Sequence, residues 1–101
     1  MLKISIIDSR THRRLVLEGK LVAPWVDELR PAWERAKAEL GGRELVVEVK
    51  NLIVINQAGE NVLLELMQEG VKIRGFGVFT RHILKQLARR AERKGKKGNK
   101  T

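Results

Sequence analysis

The sequence predicts an α/β fold: a single domain with a mixed sheet of four to five strands and three to four helices packed on it. Three observations carry that prediction. Segments rich in β-branched residues alternate with a period of two, apolar stripes of helical period separate the later ones, and 101 residues suffice for one such body but not two. Strands joined through helices imply right-handed crossovers and parallel neighbours. A hairpin at the start adds an antiparallel strand.

Composition narrows the function classes. The apolar fraction of 43% supplies a core, chiefly as Leu, Val, Ile and Ala. With no cysteine, a disulfide scaffold, thiolate-ligated zinc and a cysteine nucleophile are all excluded. No apolar run approaches the ~20 residues that cross a bilayer, and residues 1–8 read as a strand rather than a signal peptide. A cytoplasmic protein without membrane attachment is expected. The net charge of +9 is unevenly placed. Residues 1–80 hold 12 Lys+Arg against 11 Asp+Glu, whereas residues 81–101 hold 9 against Glu92 alone. Residues 1–80 are therefore nearly neutral, and the basicity belongs to the last helix of the 1–91 domain and to the tail. Residues 92–101 have no apolar side chain and are expected to form a disordered basic tail.

Ile4 and Ile6 alternate with Lys3 and Ser5 in a first strand, and the polar run through Ser9, Thr11 and His12 turns the chain into a second around Leu15 and Leu17. His12 has no second histidine or carboxylate at ligand spacing, so it reads as an exposed loop residue. Pro24 suits the first position of a helix, and Val26, Leu29, Trp33, Ala36 and Leu40 then form one apolar stripe. That stripe keeps its phase across Pro31, which predicts one kinked helix ended by Gly41-Gly42. Trp25 and Trp33 are both assigned to the core. After a third strand, a helix over about 56–69 turns Gly59, Val62, Leu63, Leu66 and Met67 inward and ends at Gly70. Residues 71–79 read as a further strand bent at its glycines, where Gly75-Phe76-Gly77 lacks the spacing of a phosphate-binding loop. Thr80 is placed as the cap of a last helix with the stripe Ile83, Leu84, Leu87, Ala88 and Ala91. His82 reads as a surface residue.

The stretch on which function is expected to depend runs through residues 44–60. Leu45, Val47 and Val49 alternate in a strand, residues 51–55 form a short apolar loop, and Asn56 caps the next helix. Gly59, without a Cβ, lets a backbone or a partner approach that turn closely. Functional groups of open α/β sheets gather at the carboxyl ends of strands. Asn56, Gln57, Ala58, Gly59 and Glu60 are therefore the candidate partner-binding residues. Leu64, off the inward stripe, is added as an exposed apolar anchor.

In order and spacing, Leu17-Glu18-Gly19-Lys20-Leu21, Ala23-Pro24-Trp25-Val26-Asp27-Glu28-Leu29 and the block 46–59 make the chain resemble a STAS domain over residues 2–90. This is the module shared by sulfate transporters and anti-sigma factor antagonists. The resemblance implies a bacterial regulatory module that binds a protein partner, such as an anti-sigma factor, a switch kinase or a sensor protein, in signalling to transcription. Asn56-Gln57-Ala58-Gly59 stands where that family usually carries Asp-Ser-Ala-Gly or Asp-Thr-Ala-Gly, whose hydroxyl is a phosphorylation switch. Gln57 has no hydroxyl and cannot be phosphorylated. The docking surface is thus expected to carry over without the switch.

A second class of function is nucleic-acid binding. Arg81, Lys85, Arg89, Arg90, Arg93, Lys94, Lys96, Lys97 and Lys100 are placed to neutralise phosphates, with affinity that falls with salt. No aromatic residue is interleaved with them, so base stacking and sequence specificity are not expected. The plain alternative is a solubilising tail. Nucleotide binding, suggested for some STAS members, finds no phosphate loop here. No catalytic set, metal-ligand spacing or cofactor motif is apparent, and a homodimer remains open.

Overall fold

The computed structural model describes residues 1–99, with side chains through residue 92. In chain order it contains β1 (Leu2–Asp8), β2 (His12–Leu21), a short 3-10 turn (Trp25–Glu28), α1 (Leu29–Ala38), β3 (Glu44–Ile55), α2 (Gln57–Gln68), β4 (Lys72–Gly75) and α3 (Val78–Asn99). The sheet order is β1-β2-β3-β4. β1 and β2 are antiparallel, while β3 runs parallel to both β2 and β4. This is the α/β architecture, with a four-stranded mixed sheet, that the periodicity predicts.

Register decides which residues are inside. Ile4 lies opposite Leu17, Leu15 opposite Val47, Leu17 opposite Val49, and Val47 opposite Ile73. Paired residues share a face, so these side chains form one apolar sheet surface. Val26 and Leu29, then Trp33, Leu63, Leu66 and Leu87 from the three helices, all join the same cluster. Lys3, Arg14, Glu18, Lys72 and Arg74 take the other parity, together with Val16, Val46 and Glu48, which are buried there. The Glu48 carboxylate is only 2% exposed and meets Arg14 Nη1 at 3.5 Å.

Several local expectations are corrected. The kinked helix is instead a 3-10 turn followed by α1. Pro31 occupies the third residue of α1, where a backbone N–H has no intrahelical partner to lose. The apolar loop 51–55 is the second half of β3: Asn51 takes a left-handed conformation (φ 47°) and the pairing shifts, after which Leu52 faces Gly19 and Val54 faces Lys20. Finally, the bent strand 71–79 stops at Gly75, and Gly77 (φ 92°) turns the chain into α3. The Gly77 carbonyl accepts from Arg81 N–H at 3.0 Å, so Thr80 is not the cap; it lies in the first turn, buried. Gly75 is nonetheless a close-approach glycine, because a Cβ there would strike Thr80 and Leu84. Of the two tryptophans, Trp33 is in the core and Trp25 is not. The backbone of α3 is helical from Val78 to Asn99, across residues 92–99 where the sequence reading expects a disordered tail, and residues 100 and 101 lie outside those described.

Polar clamps fix the helices on the sheet. Arg13 Nη1 donates to the carbonyls of Ala36 and Glu39, both at 3.3 Å, and Arg43 Nε donates to Leu40 at 2.8 Å. These bonds satisfy carbonyls at the end of α1 that have no helical partner. Asp8 lies 3.1 Å from Arg13 and 3.0 Å from Arg43. Between α1 and α2, Arg30 Nη2 reaches Glu65 at 3.2 Å and Glu69 at 2.9 Å. The hydrogen bond from Arg30 holds the Glu69 carboxyl below its ordinary value of 4.5. A depressed carboxylate stabilises the fold fully above its unfolded value and loses that contribution as pH falls through the folded one. Thermal melts across that range should therefore show wild type losing more stability on acidification than Glu69→Gln, and Arg30→Ala should abolish the difference.

Candidate functional site

β3 delivers the chain to the carboxyl end of the sheet, where Asn56 N–H donates to the Leu21 carbonyl at 3.3 Å. Asn56 is extended (φ −112°, ψ −173°), and its Oδ1 accepts from Gly59 N–H at 3.1 Å, an N-cap bond. Gly59 packs so closely on the end of β2 that a Cβ would overlap the Leu21 carbonyl oxygen. The neighbour that approaches this glycine is therefore the protein's own backbone. At the far end of α2, Val71 N–H donates to Leu66 and Gly70 N–H to Met67, both at 3.0 Å, with Gly70 at φ 89°. This Schellman arrangement closes the helix.

Gln57 is the exposed first residue of α2, and its Nε2 donates to Asn61 Oδ1 at 2.9 Å, one turn on. Asn56 is exposed as well, Ala58 and Glu60 are half-buried, and Gly59 is buried. The expectation for Leu64 is overturned: it is 5% exposed and offers no anchor. Glu60, one turn earlier on the same side of α2, accepts from Arg90 Nη1 of α3 at 3.3 Å. α3 thus lies along the side where the single-stripe reading places solvent. An apolar residue there is covered by the neighbouring helix, which the stripe alone does not reveal.

The same end of the sheet carries exposed apolar side chains that the sequence reading does not single out. Ile53 is 68% exposed, Val78 89% and Phe79 51%, with Val54 and Phe76 also exposed. Irregular backbone puts them there. The shift in pairing after Asn51 breaks the alternation that buries Val47 and Val49, and the Gly77 turn places Val78 and Phe79 in the first turn of α3. A recess of about 430 Å³ lies between the two segments, lined by Lys50, Leu52, Phe76 and Phe79 among others. Lys50 Nζ stands 5.3 Å from the centre of the Phe76 ring, within cation–π range. The available signal was Asn51 interrupting a β-branched run, and Gly77 flanked by apolar residues on both sides.

The basic set is only partly described. Arg81, Lys85 and Arg89 are exposed at four-residue spacing on α3, and Arg90 is paired with Glu60. Arg93, Lys94, Lys96, Lys97 and Lys100 fall outside the described side chains. At the opposite end of β3, Glu44 lies 3.0 Å from Lys72 and 3.4 Å from His12, and the hydrogen bond from Lys72 lowers its carboxyl. His12 is thus the half-buried first residue of β2 rather than a free loop side chain. Among the described residues, no three of His, Asp and Glu converge as a metal site, and no helix is long and apolar enough to cross a membrane. No family model and no curated protein matches the chain.

Three substitutions separate scaffold from surface in this turn. Asn56→Ala should cost about 1 kcal/mol through the lost cap, and Gly59→Ala about 1–3 kcal/mol through the clash with Leu21. Gln57→Ala should stay within about 0.5 kcal/mol, as exposed positions do. Chemical denaturation of the three variants checks that order.

Proposed function

We propose that this protein is a non-enzymatic protein-binding module of the anti-sigma factor antagonist kind, acting in bacterial signalling to transcription from the cytoplasm. The observation that carries the reading is the exposure of Ile53, Val78 and Phe79 at the strand ends next to the turn bearing Gln57. Grouped large apolar side chains at a surface mark an interaction site more often than a neutral one. The order of strands and helices supports the STAS resemblance, and the turn matching that family's switch falls at the exposed start of α2.

The partner is a folded protein, an anti-sigma factor or switch kinase, whose apolar contacts cover Phe79 and Val78 while a polar rim meets Asn56, Gln57 and Glu60. A neutral amide at position 57 leaves docking independent of phosphorylation there. In the related hydroxyl-bearing turns, added phosphate charge would oppose a docked surface.

Calorimetry with purified anti-sigma factors and switch kinases from the same cell tests this. Phe79→Asp and Gln57→Arg should each weaken binding by about tenfold or more, as expected for central contacts, while far-UV circular dichroism stays unchanged. Full affinity in both variants would refute the site. Sedimentation that shows concentration-dependent dimers, dispersed by Phe79→Asp, would assign the apolar surface to a second copy of this chain instead.

A further inference from the structure

β4 is an edge of the sheet, and its other flank borders an open groove beneath α3. Phe76 N–H donates to the Val49 carbonyl on β3 at 3.1 Å. Backbone groups of a strand alternate in direction, so those of Ile73 and Gly75 point away from β3, where no described strand pairs with them. Two adjoining hollows, of about 580 and 540 Å³, share Met67, Ile73 and Ala88 as apolar lining. The second is rimmed by Arg74, Arg81 and Lys85, and Glu92 lies at the far end of the first. Lys72 is held by Glu44, whereas Arg74, Arg81 and Lys85 have no carboxylate partner among the described residues.

We infer that β4 accepts an extended acidic segment of a partner as a fifth strand, with alternate apolar side chains seated in the groove and acidic ones on the opposite face beside Arg74. Register dictates this pattern. Ile73 and Gly75 turn toward the helices and Lys72 and Arg74 toward the bare face, so an added strand places every second residue over Met67 and Ile73 and the others alongside Arg74. Arg81 and Lys85 lie on α3, on the helix side of the groove, and add positive charge that attracts an acidic segment at longer range. A second copy of this chain is a poor occupant, because joining two β4 edges would set one row of Lys72 and Arg74 against another. Gln57 lies outside this groove, and Phe76 borders both surfaces.

The probe is a fluorescein-labelled peptide of about eight residues, a usual strand length, alternating Val and Asp and read by fluorescence anisotropy. Wild type should bind it, and bind a Val–Lys analogue or a block-sequence isomer at least about tenfold more weakly, the specificity expected of edge pairing plus charge. Methylating the peptide amides on the side that would face β4 should abolish binding, and Arg81→Gln with Lys85→Gln should weaken it. Gln57→Arg should leave it unchanged. Failure of wild type to bind, equal binding of the block isomer, or indifference to amide methylation would each overturn the proposal. So would preferential binding of a single-stranded oligonucleotide to the same rim, or dimers held through β4.

Discussion

The contact between Gly59 and the Leu21 carbonyl sets the geometry on which the candidate site depends. It joins the end of β2 to the first turn of α2 with no side chain between them, and the Asn56 N–H bond to the same carbonyl fixes the approach. A helix held this closely has little freedom to tilt. Its opening residue, Gln57, is therefore presented at the surface by backbone contacts rather than by side-chain packing. The cap from Asn56 to Gly59 completes the join within the same four residues.

Around this rigid turn the surface is built from departures from regularity. β3 is orderly while it faces Leu15 and Leu17 and becomes irregular at Asn51. An uninterrupted strand would have kept apolar residues on the core face. The positive φ at Asn51 and the slipped pairing bring Ile53 and Val54 out, and the glycine turn at Gly77 does the same for Val78 and Phe79. Exposure here follows from the backbone path, and none of these residues belongs to the core cluster.

Much of the architecture was legible because it rests on periodicity. Leu45, Val47 and Val49 alternate, and the stripes of α1 and α2 keep helical phase, which suffices to order strands and helices. The Asn56 cap and the close approach at Gly59 were legible for a different reason: few residue types satisfy those positions. What could not be read were effects of neighbours and of backbone irregularity. Leu64 depends on where α3 lies, and Ile53 on a shift in pairing that only the partner strand defines. Pro31 misled through its usual meaning, since a proline in the first turn breaks nothing. Trp25 and Trp33 look alike in sequence and differ only in how the chain enters α1.

α2 is closed at both ends by its own residues, and its last turn contributes Met67 to the floor of the β4 groove. Twelve residues of helix at about 1.5 Å each span roughly 18 Å. The two proposed surfaces thus lie toward opposite ends of this helix and meet at Phe76. On the two proposals above, one copy would hold one protein by its strand ends and another along its sheet margin, with avidity arising wherever both belong to the same assembly.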